Sequence, residues 1–488
     1  MPEEDSELLL LHTNDLHSHL EAASRIAQYV KQQRMAVPAE RLLLLDCGDF
    51  LDRARMETEG TDADINRLLL REIGYDAMTI GNNEGLTYTR EQLDRYYGNL
   101  SIPVVCTNFE PLEPRTRPAW LVPSLILRKA GMRIGLIGLT APFNDYYELL
   151  GWHSADPIAA AGAEVERLRG QADLIVVLSH LGLRQDERLA AEVGGIDLIL
   201  GAHTHHLLEQ PLIVGRTVLS AAGKFGQHIG RLQLRKTSSD RDGEKPRIAV
   251  DGGCLPTEGW AGDEASAAIA AAGFAEAKRR MSRVIAVLDR PLARLPDAES
   301  PLVNLLAAAV RERTGAAIGL VNAGQLLDGL KAGDVTEERI HAICPSPINC
   351  CLIRLTGKQL IRAMEESLLP EFIGLEIRGF GFRGKVLGTL AYDGLAADVD
   401  MKRQPYDRVT RVLVNGEPLD PEREYEVGTL DMFTFGIGYV GLKEGRNVRY
   451  LLPEFIRELL CEALANPRLI ENSQRKRITV ARSDNGAS

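Results

Sequence analysis

The chain has 488 residues, 45% hydrophobic and 26% charged, with a mean hydropathy of -0.12; this is too long for one hydrophobic core and too apolar for a disordered chain. A formal net charge of -11 and an isoelectric point near 5.6 exclude a surface that coats nucleic acid, because phosphate backbones need a basic footprint. No apolar run reaches the length that crosses a bilayer, so no membrane partner is expected.

The amino terminus, MPEEDSELLLLHTND, is acidic before its first apolar run, whereas a secretory signal starts basic. Seven cysteines without CxxC spacing do not form a disulfide framework and fit a reducing compartment. The expected location is the cytoplasm, with Cys344, Cys350 and Cys351 read as buried thiols.

Up to about residue 255 the chain repeats a short apolar run, a polar tip and an amphipathic helix. The runs are ELLLLHTND, RLLLLDCGD, DAMTIGNNE, RIGLIGLTAP, DLIVVLSHLG and IDLILGAHTHH. Continuous apolar segments of this length between helical patterns such as DADINRLLLREIGY and PIAAAGAEVERLRGQ read as buried strands of an α/β domain. PLIVGRTVLSAAGK and HIGRLQLRKT lack intervening helices and read as hairpin strands, so the sheets should be mixed. The boundaries expected are a first domain over 1–261, a linker helix over 262–283 (GDEASAAIAAAGFAEAKRRMS at its heart) and a second, α+β domain over 284–480. That second domain mixes helices (SPLVNLLAAAVRERTG, LTGKQLIRAMEESLL) with strands (LGTLAYDG, VTRVLVNGEPL, EYEVGTLDMF), and a strand-like ITVA precedes a frayed tail.

In open α/β sheets ligands gather beyond the carboxyl ends of strands. Those ends carry Asp15 and His17, Asp49, Asn82, His180, and then His203 and His205; four of only 10 histidines stand at such tips. Any one of them has an ordinary structural reading as a cap, a turn or a core histidine. Carboxylates, imidazoles and an amide oxygen from five strand ends are together the donor mixture for two divalent ions bridged by an aspartate. Two such ions would clamp a phosphoryl group and supply a hydroxide for in-line attack, which fits phosphoester hydrolysis.

The succession Asp-x-His, Gly-Asp, Gly-Asn-x-Glu, Ser-His-Leu-Gly and Gly-Ala-His-Thr-His resembles the calcineurin-like metallophosphoesterases. HTNDLHSH, the IGYDAMTIGNNE block and the appended second domain narrow the resemblance to 5'-nucleotidases of the UshA type, over both domains. The resemblance implies an α/β/β/α sandwich of mixed sheets followed by an α+β nucleotidase-type domain. It further implies that Asp15, His17, Asp49 and His205 hold one ion and that Asp49, Asn82, His180 and His203 hold the other. The pattern leaves manganese, zinc, cobalt, iron and magnesium open.

Family members read Gly-Asn-His-Glu-x-Asp where this chain has GNNEGL, so Asn83 and Leu86 replace a histidine–aspartate dyad beside the leaving group. An amide can donate a hydrogen bond but cannot deliver a proton near neutral pH. The expectation is a hydrolase that is slower on alkyl phosphomonoesters and relatively better on substrates whose leaving group needs no proton. His19 and His206 are the nearby histidines in sequence.

The resemblance places base recognition in the second domain, where Phe380, Phe382, Phe433 and Phe435 cluster beside glycines; at most one ring in each cluster need face a ligand. The family's phosphate-side signature Asn-x-Gly-x-Ile-Arg survives as Asn322 and Gly324 without the arginine; Arg378 and Arg383, which flank the glycine-rich loop, are candidates to supply that charge, with a solvated surface the ordinary reading of either. The reading is a phosphohydrolase of nucleotides or their derivatives. The alternatives are a phosphoesterase or cyclic-nucleotide phosphodiesterase for another small phosphorylated metabolite, and a metal-binding sensor that has lost turnover.

Overall fold

The structure, a computed structural model, describes residues 7–112, 116–236 and 248–481. The acidic start and the end of the tail lie outside the described residues. Two compact units, Met1–Ala277 and Lys278–Ser488, divide within the helix Glu264–Met281.

In the first unit, a seven-stranded sheet runs Ile248–Pro256, His228–Lys236, Glu7–Thr13, Leu42–Asp46, Ala77–Met78, Val104–Val105, Leu121–Val122. From Glu7–Thr13 onward the neighbours are parallel, while His228–Lys236 and Ile248–Pro256 join antiparallel. A six-stranded sheet runs Leu212–Val214, Thr217–Ser220, Leu198–Gly201, Leu174–His180, Met132–Thr140, Ser124–Lys129. PLIVGRTVLS is a hairpin, as its Gly215 turn suggests, and both sheets are mixed.

Alternation decides which way each leucine faces. Leu8, Leu10, Leu43 and Leu45 of the first sheet share one core with Leu174, Val176 and Leu178 of the second. Ile175 and Val177, one residue out of phase, turn instead to Val165, Leu168 and Leu189 of the helices Pro157–Leu168 and Leu183–Glu192. A strand buried on both faces needs a continuous apolar run, which is why ELLLL and LIVVL lack polar alternation. DAMTIG is the exception: only Ala77–Met78 forms a strand before the chain leaves the sheet for Gly81.

The second unit is built on a five-stranded sheet in the order Leu390–Asp393, Ile318–Asn322, Glu424–Leu430, Asn349–Thr356, Arg446–Phe455. The helix Pro301–Thr314 buries Leu302, Leu305, Leu306 and Val310 in its core. The strand-like ITVA is the strand Ile478–Val480, parallel to Leu395–Val399. No described helix is long and apolar enough to cross a membrane.

Candidate metal centre and second-unit loops

Every tip residue stands at or beyond the carboxyl end of a parallel strand. Asp15 and His17 follow Glu7–Thr13, Asp49 follows Leu42–Asp46, Asn82 follows Ala77–Met78, His180 ends Leu174–His180, and His203 and His205 follow Leu198–Gly201. Five of these seven, Asp15, His17, Asp49, His203 and His205, have φ between 46° and 71°. A non-glycine residue in the left-handed region costs of order 1–3 kcal/mol and persists only where its surroundings over-determine it.

The surroundings are identifiable. The Asp15 N–H donates to Gly48 O (3.0 Å), that of His17 to Asp49 O (2.9 Å) and that of Ser18 to Phe50 O (2.9 Å), so the first two loops are laced together. Glu84, fully buried, accepts from the N–H groups of Asp49 (3.1 Å), Leu51 (3.0 Å) and Gly81 (3.0 Å), tying the second loop to the third. Burial and the neighbouring Asp49 push its carboxyl up to about 8, although the main-chain donors oppose this. Gly48 and Gly81 press backbone on backbone. A Cβ on Gly81 would stand 2.1 Å from Asp49 Oδ1, so glycine alone permits the approach that brings the Asn83 N–H to that oxygen (2.8 Å).

The side chains converge in two groups. His17 Nε2 lies 3.1 Å from His205 Nε2 and 3.7 Å from Asp15 Oδ1, which is itself 3.5 Å from His205 Nε2. Asn82 Oδ1 lies 3.1 Å from His180 Nε2 and 2.7 Å from His203 Nδ1. Asp49 reaches both, with Oδ1 3.4 Å from His180 Nε2 and Oδ2 3.8 Å from His17 Nε2. Asp15 is anchored through Oδ2, which accepts from Asn14 Nδ2 (2.8 Å) and the His203 N–H (3.0 Å); that N–H also reaches Oδ1 (3.2 Å), the oxygen that faces the His17 and His205 rings. His180 gives its Nδ1 proton to Cys47 O (2.7 Å), which leaves Nε2 as the nitrogen that would turn a lone pair to a bound cation.

Buried carboxylates facing imidazoles shape the charge of the metal-free protein. Burial pulls the His180 imidazole down, but Asp49 and Asp15 lift it to about 10. Burial raises the Asp49 carboxyl, and His180 and His17 more than reverse it. His203 falls to about 4 through burial and its neighbour His180. Lone pairs that converge this closely in a buried site, drawn from carboxylate, imidazole and amide donors, fit a divalent cation.

Residues 8–207 match the family model for calcineurin-like phosphoesterases, and residues 280–442 match that for the 5'-nucleotidase C-terminal domain. The chain is 37% identical to an uncharacterized metallophosphoesterase of Bacillus subtilis, YunD, over 94% of this chain and 99% of that one. The chain belongs to the calcineurin-like phosphoesterases that carry a 5'-nucleotidase C-terminal domain. Members of this family are hydrolases that use divalent metal ions. Among solved structures, a 5'-nucleotidase precursor of Thermus thermophilus is similar with a TM-score of 0.58 and 25% identity, covering 98% of this chain and all of that one. The NAD nucleotidase of Haemophilus influenzae shares the fold, with a TM-score of 0.66 and 18% identity over 98% of each chain.

In this family member Asn83 takes up a place beside a metal-ligand candidate. Its Nδ2 lies 2.8 Å from His17 Nδ1, with the Asp52 carboxylate 3.6 Å from the same nitrogen. The nearby histidines serve their own loops. His19 Nδ1 stands 3.1 Å from Leu16 O and His17 O with its ring stacked on Phe225 (4.0 Å), and His206 Nδ1 pairs with Thr204 Oγ1 (2.8 Å).

The second unit sorts its phenylalanines cleanly. Phe382 and Phe433 lie in the hydrophobic core, whereas Phe380 and Phe435 are 50% and 40% exposed. The exposed rings face one another with centroids 6.1 Å apart and planes 28° from parallel. Gly379 and Gly381, both at positive φ, flank Phe380 and make its own left-handed backbone reachable. Asn322 is fully buried and spends its amide on the chain, donating to Leu387 O (2.6 Å) and accepting from Gln325 Nε2 (2.9 Å). A Cβ on Gly324 would meet Val386 O at 2.1 Å. Asn322 and Gly324 thus hold the loop at 386–388. Arg378 points to solvent beside Glu376 (3.1 Å), and the Arg383 N–H donates to Ser346 Oγ (3.0 Å).

Sequence reasoning missed the supports: Asn14, the Cys47 carbonyl, Asp52 and Phe225. A main-chain carbonyl leaves no trace in a sequence. Glu84 did leave one, as the glutamate of Gly-Asn-x-Glu, with its role as a loop clasp invisible until the three N–H donors are seen.

Proposed function

We propose that the chain is a two-metal phosphohydrolase of nucleotides or nucleotide derivatives. The observation that carries this reading is Asp49, whose two oxygens address two separate donor groups. Asp15, His17, Asp49 and His205 would hold one ion, and Asp49, Asn82, His180 and His203 the other. When bound, the ions would supply the nucleophile and positive charge for the phosphoryl oxygens.

Asn83 acts here by positioning. Coordination through His17 Nε2 requires a proton on Nδ1, and that proton needs an acceptor. Asp52 is one, and the Asn83 amide becomes another when turned over so that its oxygen faces the ring. The proton-donating dyad is gone, so the site favours leaving groups that depart without a proton, such as the phosphate of a nucleoside diphosphate derivative. Phe380 and Phe435 are proposed to take the base between them. Ring, base and ring at contact distances of about 3.5 Å span about 7 Å, close to the spacing of this pair. The seven cysteines are all unpaired, which fits the reducing, cytoplasmic setting of this reading, and nucleotide breakdown would be the chain's role there.

The test is hydrolysis of a nucleoside monophosphate, a nucleotide sugar and a dinucleotide with each candidate ion, alongside metal analysis. Two ions per chain and faster turnover of the anhydrides are expected. One ion per chain, or equal turnover of the monophosphate, would overturn the reading.

A further inference from the structure

The first unit holds a second cavity whose walls the phosphohydrolase reading does not use. It has a volume of about 570 Å³ and lies between the helix Leu20–Ala36 and the first turns of Glu264–Met281. This is within the range of about 300–1,000 Å³ that small-molecule sites occupy. A smaller cavity of about 330 Å³ adjoins it and shares Arg25 and Trp260.

One wall is an apolar stripe. Ala267, Ala270, Ala271 and Phe274 recur at the i, i+3, i+4, i+7 spacing that normally marks the buried face of a helix, yet Phe274 is 50% exposed. The helix is held with this stripe turned to the cavity by its other side, where Gly273 packs so closely on Ile65 that a Cβ would stand 2.1 Å from Ile65 Cδ1. Leu20 closes the floor, and Trp260, stacked on Tyr29 at 4.6 Å, forms the end.

The charges around the cavity are unequal. Arg55 is satisfied by Glu57, which its Nε meets at 3.0 Å. Glu21 is exposed and screened by water. Arg25 is half-buried, lines both cavities, and pairs with no carboxylate among the described residues. Its Nε is covered by protein, so an anion would meet the terminal nitrogens of the guanidinium, whose fork matches a carboxylate. We infer that this cavity binds a small amphipathic anion, with its carboxylate or sulfonate on Arg25 and its apolar body along Ala267–Phe274 toward Trp260.

The experiment uses the full chain loaded with metal and the fluorescent probe 8-anilinonaphthalene-1-sulfonate. Saturable binding at one site per chain is expected, displaced by decanoate and not by decanol or decyltrimethylammonium. Arg25→Met should weaken binding by about tenfold or more, the worth of a charge-assisted hydrogen bond. Ala270→Trp fills the cavity without touching a charge and should abolish binding, and metal uptake should be unchanged in both variants. Displacement by decanol as effective as by decanoate, or unaltered affinity in Arg25→Met with its fold intact by circular dichroism, would overturn the proposal.

Discussion

The two candidate sites are built on opposite principles. In the first unit, the candidate metal ligands sit on backbone that is costly by itself and is held by contacts leaving no slack: the Gly48–Gly81 approach, the Glu84 clasp and the Asp15–Gly48 lacing. In the second unit, Phe380 and Phe435 stand on glycine-rich loops, and rigidity comes from their buried neighbours Phe382 and Phe433. Cations demand donors fixed to a fraction of an ångström. A flat base accepts a pair of rings that shift, so the second site tolerates softer support.

The sharpest way to break this comparison is to remove the shared donor. Asp49→Asn should cost about 10³-fold or more in hydrolysis of a chromogenic phosphodiester, because several kcal/mol of charge stabilisation go with it. Metal analysis should show fewer ions per chain; full activity would mean that Asp49 does not bridge. Restoring the dyad with Asn83→His and Leu86→Asp together should raise turnover of an alkyl phosphomonoester by about 10²-fold and change that of an anhydride little. A parallel rise on both substrates would show that proton delivery is not what the asparagine removed. Gly81→Ala attacks the support alone, and metal affinity should fall by about 10–100-fold, measured by competition with a chelator.

The phenylalanines test the softer side. Phe433→Ala should cost about 3–5 kcal/mol of stability in denaturant unfolding, as expected for a fully buried ring. Phe435→Ala should leave stability nearly unchanged and weaken nucleotide binding by about 1–3 kcal/mol, seen as a raised KM with kcat held. If the two variants behaved alike, the division into anchor and platform would fail.

Much of the first unit was legible because its chemistry is written at strand ends. Apolar runs of four to seven residues announce strands, and a polar residue directly after such a run has few places to go but the strand tip. The reading of DAMTIGNNE as a full strand was too generous, since the third loop must leave the sheet early for Gly81 to reach Gly48. The second unit was less legible. Ile318–Asn322, Asn349–Thr356 and Arg446–Phe455 form three of the five strands of its main sheet, yet their short or charge-interrupted runs carry no clear period. Exposure of a ring depends on which way a glycine-flanked backbone turns, so alternate phenylalanines identified two clusters without saying which member of each was outward.

The helix Glu264–Met281 carries a consequence for handling the molecule. It is uninterrupted across the division between the compact units, and its last turn presents Lys278, Arg279 and Arg280 on the surface. Trypsin cuts extended chain, not helix, so these bonds are shielded until the turn frays. The rate at which a light digest cuts after these three residues, and not after Arg283 just beyond the helix, therefore gauges how often that turn melts, without any label or mutation.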